Sequence, residues 1–147
     1  MNCLRVISLS LAMIIAAPAA EIFVLQSTEA MRRPNHNIEI RVEDDGKMTV
    51  KTQDLGAEWV SQQKTIDAAG IAALDKNLAA LDWTHLSKEE ANGRDGTFLK
   101  LEYRGKKSEL WTPAYDSEKR GLVEVQKVIE SLYQLAGLGK TGWQPPK

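Results

Sequence analysis

The chain has 147 residues, with 19 Lys and Arg against 20 Asp and Glu, two His and one Cys. That length suits one domain. A formal net charge of −1 leaves no basic footprint for nucleic acid and no polybasic contact for a membrane surface.

Residues 1–19 read as a secretory signal peptide. Arg5 supplies the positive end, residues 6–17 are apolar, and Ala17-Pro18-Ala19 has small residues at both positions of an A-x-A site. The apolar stretch is shorter than the roughly 18–20 residues of a spanning helix, which weighs against an uncleaved anchor. A lipoprotein leader would place cysteine at the end of the apolar run, whereas Cys3 lies before it. Cleavage before Ala20 or Glu21 therefore predicts a periplasmic or secreted protein with no stable membrane anchor. The remainder, without Arg5, has no cysteine and a net charge of −2. It has no thiol nucleophile, disulfide or thiolate metal ligand.

Ile22-Phe23-Val24-Leu25 is an apolar run, read as a short strand or a frayed end. Residues 28–37, with Arg32, Arg33, Pro34 and His36, read as a loop. A hairpin follows. Ile38, Ile40 and Val42 alternate with Glu39, Arg41 and Glu43, and Met48, Val50 and Thr52 alternate with Lys47, Thr49 and Lys51. Parity selects a three-residue turn at Asp44-Asp45-Gly46, with Val42 opposite Met48 and Ile40 opposite Val50. A third strand is expected over residues 58–65. Asp67 then caps a helix over residues 68–81, with Ile71, Leu74, Leu78 and Leu81 on one face. Trp83 is expected to fold back onto the core, and residues 84–96 to form a long surface loop.

The second hairpin spans residues 97–112. Leu99, Leu101 and Tyr103 share a face with Leu110, and a turn at Gly105-Lys106 or a loop over 104–107 would set Leu101 opposite Leu110. Residues 118–136 carry the strongest helical pattern, with Leu122, Val125, Ile129, Leu132 and Ala136 at spacings of three and four. Asp116 or Ser117 is the expected cap, and Gly137 with Leu138 the expected stop. Residues 20–136 thus form one α+β domain, and residues 137–147 a tail. The expected architecture is a two-layer sandwich, with an antiparallel sheet of 4–5 strands and two helices on one face.

The order of elements from Asn37 to Tyr133 is a hairpin, a helix ending near Trp83, a hairpin led by Asp95-Gly96, and a last helix. This layout resembles that of emfourin-type protein inhibitors of thermolysin-family metalloproteases, and of other small exported proteins. The resemblance implies a binding role. It lies in the layout, and no inhibitory residue is carried over from it.

Motifs for chemistry are missing. His36 and His85 stand in separate polar loops with no H-x-x-x-H pair. Asp44-Asp45-Gly46 opens like a calcium loop but has neither the alternating ligands nor the closing glutamate. Leu138-Gly139-Lys140-Thr141 is similar to the end of a P-loop, yet Gln134 occupies the position of the first glycine. No serine sits in a nucleophile elbow. No catalytic, metal or cofactor-binding residue is therefore assigned.

Helices on one sheet face would leave Phe98 and Trp111 on the other, among Lys100, Glu102 and Glu109. Aromatic residues ringed by charge have the composition of a protein interface. Phe98, Trp111, Lys100 and Glu109 are the expected partner-binding residues. On this reading Trp111→Ala weakens binding and leaves stability nearly unchanged. The competing explanations are cover by residues 22–25 or by the tail with Trp143, and an inverted face assignment.

These features point to a small exported non-catalytic binding module, an inhibitor or immunity-type protein acting on another exported protein. A second reading is a periplasmic binder of a small apolar ligand, held between the sheet and the alanine-rich helix. A third is an enzyme using the loop carboxylates Glu89, Glu90 and Asp95.

Overall fold

Alternating apolar and polar residues pair into a six-stranded antiparallel sheet. The computed structural model describes residues 17–30, 36–54, 56–90, 93 and 95–139. Residues 1–16 of the expected leader, the loop residues 31–35 and the tail residues 140–147 with Trp143 lie outside the described residues.

The strands are β1 (Glu21–Ala30), β2 (His36–Glu43), β3 (Lys47–Asp54), β4 (Val60–Thr65), β5 (Gly96–Tyr103) and β6 (Lys106–Trp111). Their order across the sheet is β4-β3-β2-β1-β5-β6. The helices are α1 (Ala68–Ala79), α2 (Trp83–Leu86) and α3 (Val123–Leu135). The fold is thus α+β, with six strands among the described residues where 4–5 were expected. The added strand is β1. Residues 22–25 are neither a frayed end nor a cover over Phe98 and Trp111. They lie between β2 and β5, where Phe23 faces Val42 on one side and Tyr103 on the other.

The first hairpin has the expected register, with Val42 opposite Met48, Ile40 opposite Val50 and Glu39 opposite Lys51. Gly46 closes the turn with a φ of 91°. A side chain there would run into the Ile66 carbonyl, so the turn needs glycine on both counts. The second hairpin turns one residue earlier than expected, at Arg104-Gly105, with φ values of 46° and 81°. Two positive φ values make the type I′ geometry that matches strand twist. Leu99 therefore faces Leu110, and Leu101 faces Ser108. A turn displaced by one residue shifts pairing by two, so the face assignment is kept.

One sheet face is apolar. Phe23, Leu25, Ile40, Val42, Met48 and Leu110 are all buried there. They join Leu74 and Leu78 of α1, and Val125, Ile129 and Leu132 of α3, in one cluster. Asp67 caps α1, its carboxylate accepting from Gly70 N–H at 2.7 Å. The expected long loop after Trp83 begins as α2, because the Asp82 carboxylate accepts from His85 N–H at 2.9 Å and starts a helical turn. Trp83 is buried, as its position after α1 suggested, and stacks on Tyr103 with ring centroids 5.8 Å apart. Its indole N–H donates to the Leu78 carbonyl at 2.8 Å. The Tyr103 hydroxyl donates to the Asp75 carboxylate at 3.0 Å, and burial raises its pKa above the usual tyrosine value.

The C-terminal helix is shorter than its pattern. Gly121 has a φ of 67°, which breaks the helical path after Arg120, so α3 starts at Val123. Neither Asp116 nor Ser117 caps it; Leu122 holds the cap position without a side-chain bond. At the other end Gly137 and Leu138 donate to the Gln134 and Tyr133 carbonyls at 2.9 and 2.8 Å, the expected glycine stop.

The opposite sheet face is a lattice of ion pairs within and between strands. Arg41 donates to Glu39 and Glu21, each at 2.8 Å, and Lys51 lies 3.5 Å from Glu39. The hydrogen bond from Arg41 is the main reason that the Glu39 pKa falls from 4.5 to about 2. Burial works the other way, while Gln26, Arg41 and Lys51 lower it further. The folded state favours the ionised form, so this stabilisation is complete above pH 4.5 and is lost as pH falls towards 2. Urea unfolding of Glu39→Gln is expected to show a flatter decline in stability across that window than the parent. Parallel curves would mean that Glu39 is not responsible.

Candidate functional site

The site is built on the β5–β6 hairpin. Its register puts Phe98 opposite Trp111, Lys100 opposite Glu109, and Glu102 opposite Lys107. All six side chains stand on the face away from Leu99, Leu101 and Leu110, so the face assignment is not inverted. The four expected binding residues therefore form two adjoining cross-strand rows. Lys100 and Glu109 are 3.3 Å apart and both about two-thirds exposed. Pairs this exposed contribute little stability, below about 1 kcal/mol. With Val24, Gln26 and Arg41 they line an open trough of about 330 Å³ along β1.

Trp111 is less free than the sequence suggested. Its indole N–H donates to the Asp95 carbonyl at 2.8 Å. Gly93 lies against the ring, so closely that an added Cβ would fall inside the indole. Tyr115 meets Trp111 edge-on at 5.6 Å, and the Arg120 guanidinium is 5.9 Å from the ring centre. Trp111 thus holds the end of the 84–96 segment, and its replacement carries a stability cost. Tyr115 is the open aromatic of the group, with 59% of its surface exposed.

In the segment from Thr112 to Gly121 one side chain bonds four groups, beside local backbone bonds such as Tyr115 N–H to the Thr112 carbonyl and Arg120 N–H to the Asp116 carbonyl. Arg120 Nη1 donates to the Thr112 and Tyr115 carbonyls at 3.2 and 2.9 Å. Its Nη2 donates to the Trp111 carbonyl at 3.0 Å and to the Glu89 carboxylate at 2.7 Å. Both partners of the ion pair are mostly buried, at 19% and 14% exposure. His85 Nε2 lies 2.7 Å from the Arg120 carbonyl. Thr112 and Asp116 adopt φ values of 36° and 52°, which costs each on the order of 1–3 kcal/mol and persists only where surroundings enforce it. Arg120 contributes to that enforcement, together with the bonds of Thr112 to Thr97, and its bond to the Tyr115 carbonyl ties that residue into the segment.

Sequence reasoning missed Tyr115 and Arg120. Tyr115 lies in a stretch without periodicity, Arg120 falls within the helical pattern of residues 118–136, and three of the four Arg120 acceptors are backbone carbonyls, which carry no residue signal. The loop carboxylates do not converge: Glu89 is paired with Arg120, while Glu90 and Asp95 are exposed. Among the described residues no group of three or more His, Cys, Asp or Glu is placed to hold a metal ion. A crevice of about 220 Å³ between α1 and α3 is open and edged by Asn77, Glu124 and Lys127. Among the described residues no helix is long and apolar enough to cross a membrane. Compared with known proteins, the sequence matches no family model and no curated protein.

Proposed function

We propose that this protein is a small exported, non-catalytic binding module that acts by occupying another exported protein, as an inhibitor or immunity-type protein does. Its framework is read as a two-layer sandwich with the helices on the Leu99–Leu101–Leu110 side of the sheet. The bonds from Tyr103 to Asp75 and from Ser108 to the Leu86 carbonyl support that arrangement. The layout resemblance to emfourin-type inhibitors agrees with it. The observation that carries the functional reading is Tyr115, a largely exposed aromatic set edge-on against Trp111, whose row with Phe98 adjoins the Lys100–Glu109 row. Rigid aromatic anchors with a charged rim concentrate binding energy in protein interfaces.

The test is capture of partners from the source organism's envelope and culture fluid, on wild type and on Tyr115→Ala in parallel. Tyr115 is exposed, so its replacement is expected to leave the melting temperature within experimental error. Affinity for the captured protein is expected to fall by about tenfold or more, or 1.4 kcal/mol. Trp111→Ala is a poorer probe, because it also frees the Gly93–Asp95 contact. A partner bound equally by wild type, Tyr115→Ala and the Lys100→Ala/Glu109→Ala pair would refute this surface.

A further inference from the structure

The two edges of the sheet are treated differently by the sequence. The β6 edge carries Lys106, Lys107 and Glu109, and Arg120 occupies the Trp111 carbonyl. Charge and cover of this kind discourage strand addition. The β4 edge has neither. Its residues are Val-Ser-Gln-Gln-Lys-Thr, with no proline and one charge. That charge, Lys64, shares the face of its partner Met48 and reaches the end of α3 at Gly137. Trp59 and Val60, where the strand begins, are 47% and 56% exposed.

Hydrogen-bond parity identifies the open groups. Ile66 N–H donates to the Gly46 carbonyl at 2.8 Å, so Ile66 faces β3. Alternation then turns Lys64 and Gln62 towards β3 as well. Ser61, Gln63 and Thr65 turn their N–H and C=O groups away from the sheet. Among the described residues none of these groups has a partner.

We propose that two copies of this protein pair through β4, antiparallel about a twofold axis at Gln63, into one continuous sheet. In that register Gln63 faces Gln63 of the partner subunit, and Ser61 faces Thr65 of the partner subunit. Every outward N–H and C=O of β4 is then satisfied, and each directly opposed outer pair is uncharged. On the core side Gln62 meets Lys64 of the partner subunit, so no like charges are opposed. Val60 gains Ile66 of the partner subunit as a neighbour. This self-complementarity is what selects a second copy as the occupant. The β4 edge is at the far end of the sheet from Trp111, so pairing leaves the Tyr115 surface open and the two proposals fail separately.

The test is sedimentation velocity on the protein purified after expression of the full sequence. Wild type is expected to sediment at twice the monomer mass. Gln63→Pro removes an outward N–H and no bond to β3, a replacement that edge strands tolerate. It is expected to yield monomer with an unchanged circular dichroism spectrum. Gln63→Lys sets two like charges opposite one another at the axis and is expected to weaken the dimer by about tenfold or more; this variant decides the matter if the proline variant misfolds. A monomeric wild type would overturn the proposal and leave the edge open to a foreign strand. A dimer indifferent to both substitutions would place the interface elsewhere and overturn it equally.

Discussion

Phe23→Ala is expected to lower the unfolding free energy by about 3–5 kcal/mol, the usual range for a buried phenylalanine. Phe23 is 1% exposed and belongs to the strand that joins the two halves of the sheet. Its loss opens a cavity between Val42 and Tyr103 that strands pinned by pairing on both sides can close only in part. Domains of this size are stable by about 5–15 kcal/mol, so one substitution removes a large share. Urea unfolding followed by tryptophan fluorescence measures the change. A loss under about 1 kcal/mol would show that β1 is peripheral. A chain starting after residue 30 tests the same point more severely: it leaves β4-β3-β2 and β5-β6 without the strand between them, and no cooperative unfolding transition is expected.

Arg120→Ala is expected to cost about 2–4 kcal/mol, since it leaves Glu89 mostly buried without its cation, takes the side-chain donor from the Trp111 and Tyr115 carbonyls, and leaves the Thr112 carbonyl with the Tyr115 N–H alone. The two strained residues, Thr112 and Asp116, then lose part of what holds them in the left-handed region and keep their bonds to Thr97 and to the Arg120 N–H. The amides of residues 112–121 are therefore expected to exchange faster with solvent than those of β1, beyond the global loss. A double-mutant cycle with Glu89→Ala separates the pair from the carbonyl bonds, because only the pair contributes a coupling energy. Zero coupling would assign the whole cost to the backbone contacts. A stability unchanged by Arg120→Ala would remove Arg120 as the organiser of the Tyr115 segment.

What was legible in the sequence depended on how far apart the interacting residues are. The Asp44-Asp45-Gly46 turn sits between two alternating strands, and parity alone fixed its length. Parity also placed Phe98, Lys100, Glu109 and Trp111 on one face, although the turn itself was displaced. Arg104 occupies a left-handed position that composition would give to Gly105 alone, and nothing local reveals it. The place of β1 was hidden for another reason. Its apolar residues mark it as buried, but its second neighbour is β5, and pairing across so much intervening chain has no local signature. The Tyr115 segment was hidden more deeply, because it is shaped by a side chain bonded to carbonyls, and every residue has a carbonyl.

The position of β1 also bears on how the protein comes to be folded. The strand is made before the other five, yet its pairing with β5 must wait until Tyr103 has followed. Until then the β1–β4 meander has β1 as an open apolar edge, with Phe23 and Leu25 lacking the neighbours that bury them. Pairing between such distant segments closes slowly, since the entropy of the intervening chain is lost before contact repays it. The sheet is therefore complete only once the β5–β6 hairpin has docked on β1. A chain held extended by a chaperone until Tyr103 is available would avoid the interval in which two such edges find each other.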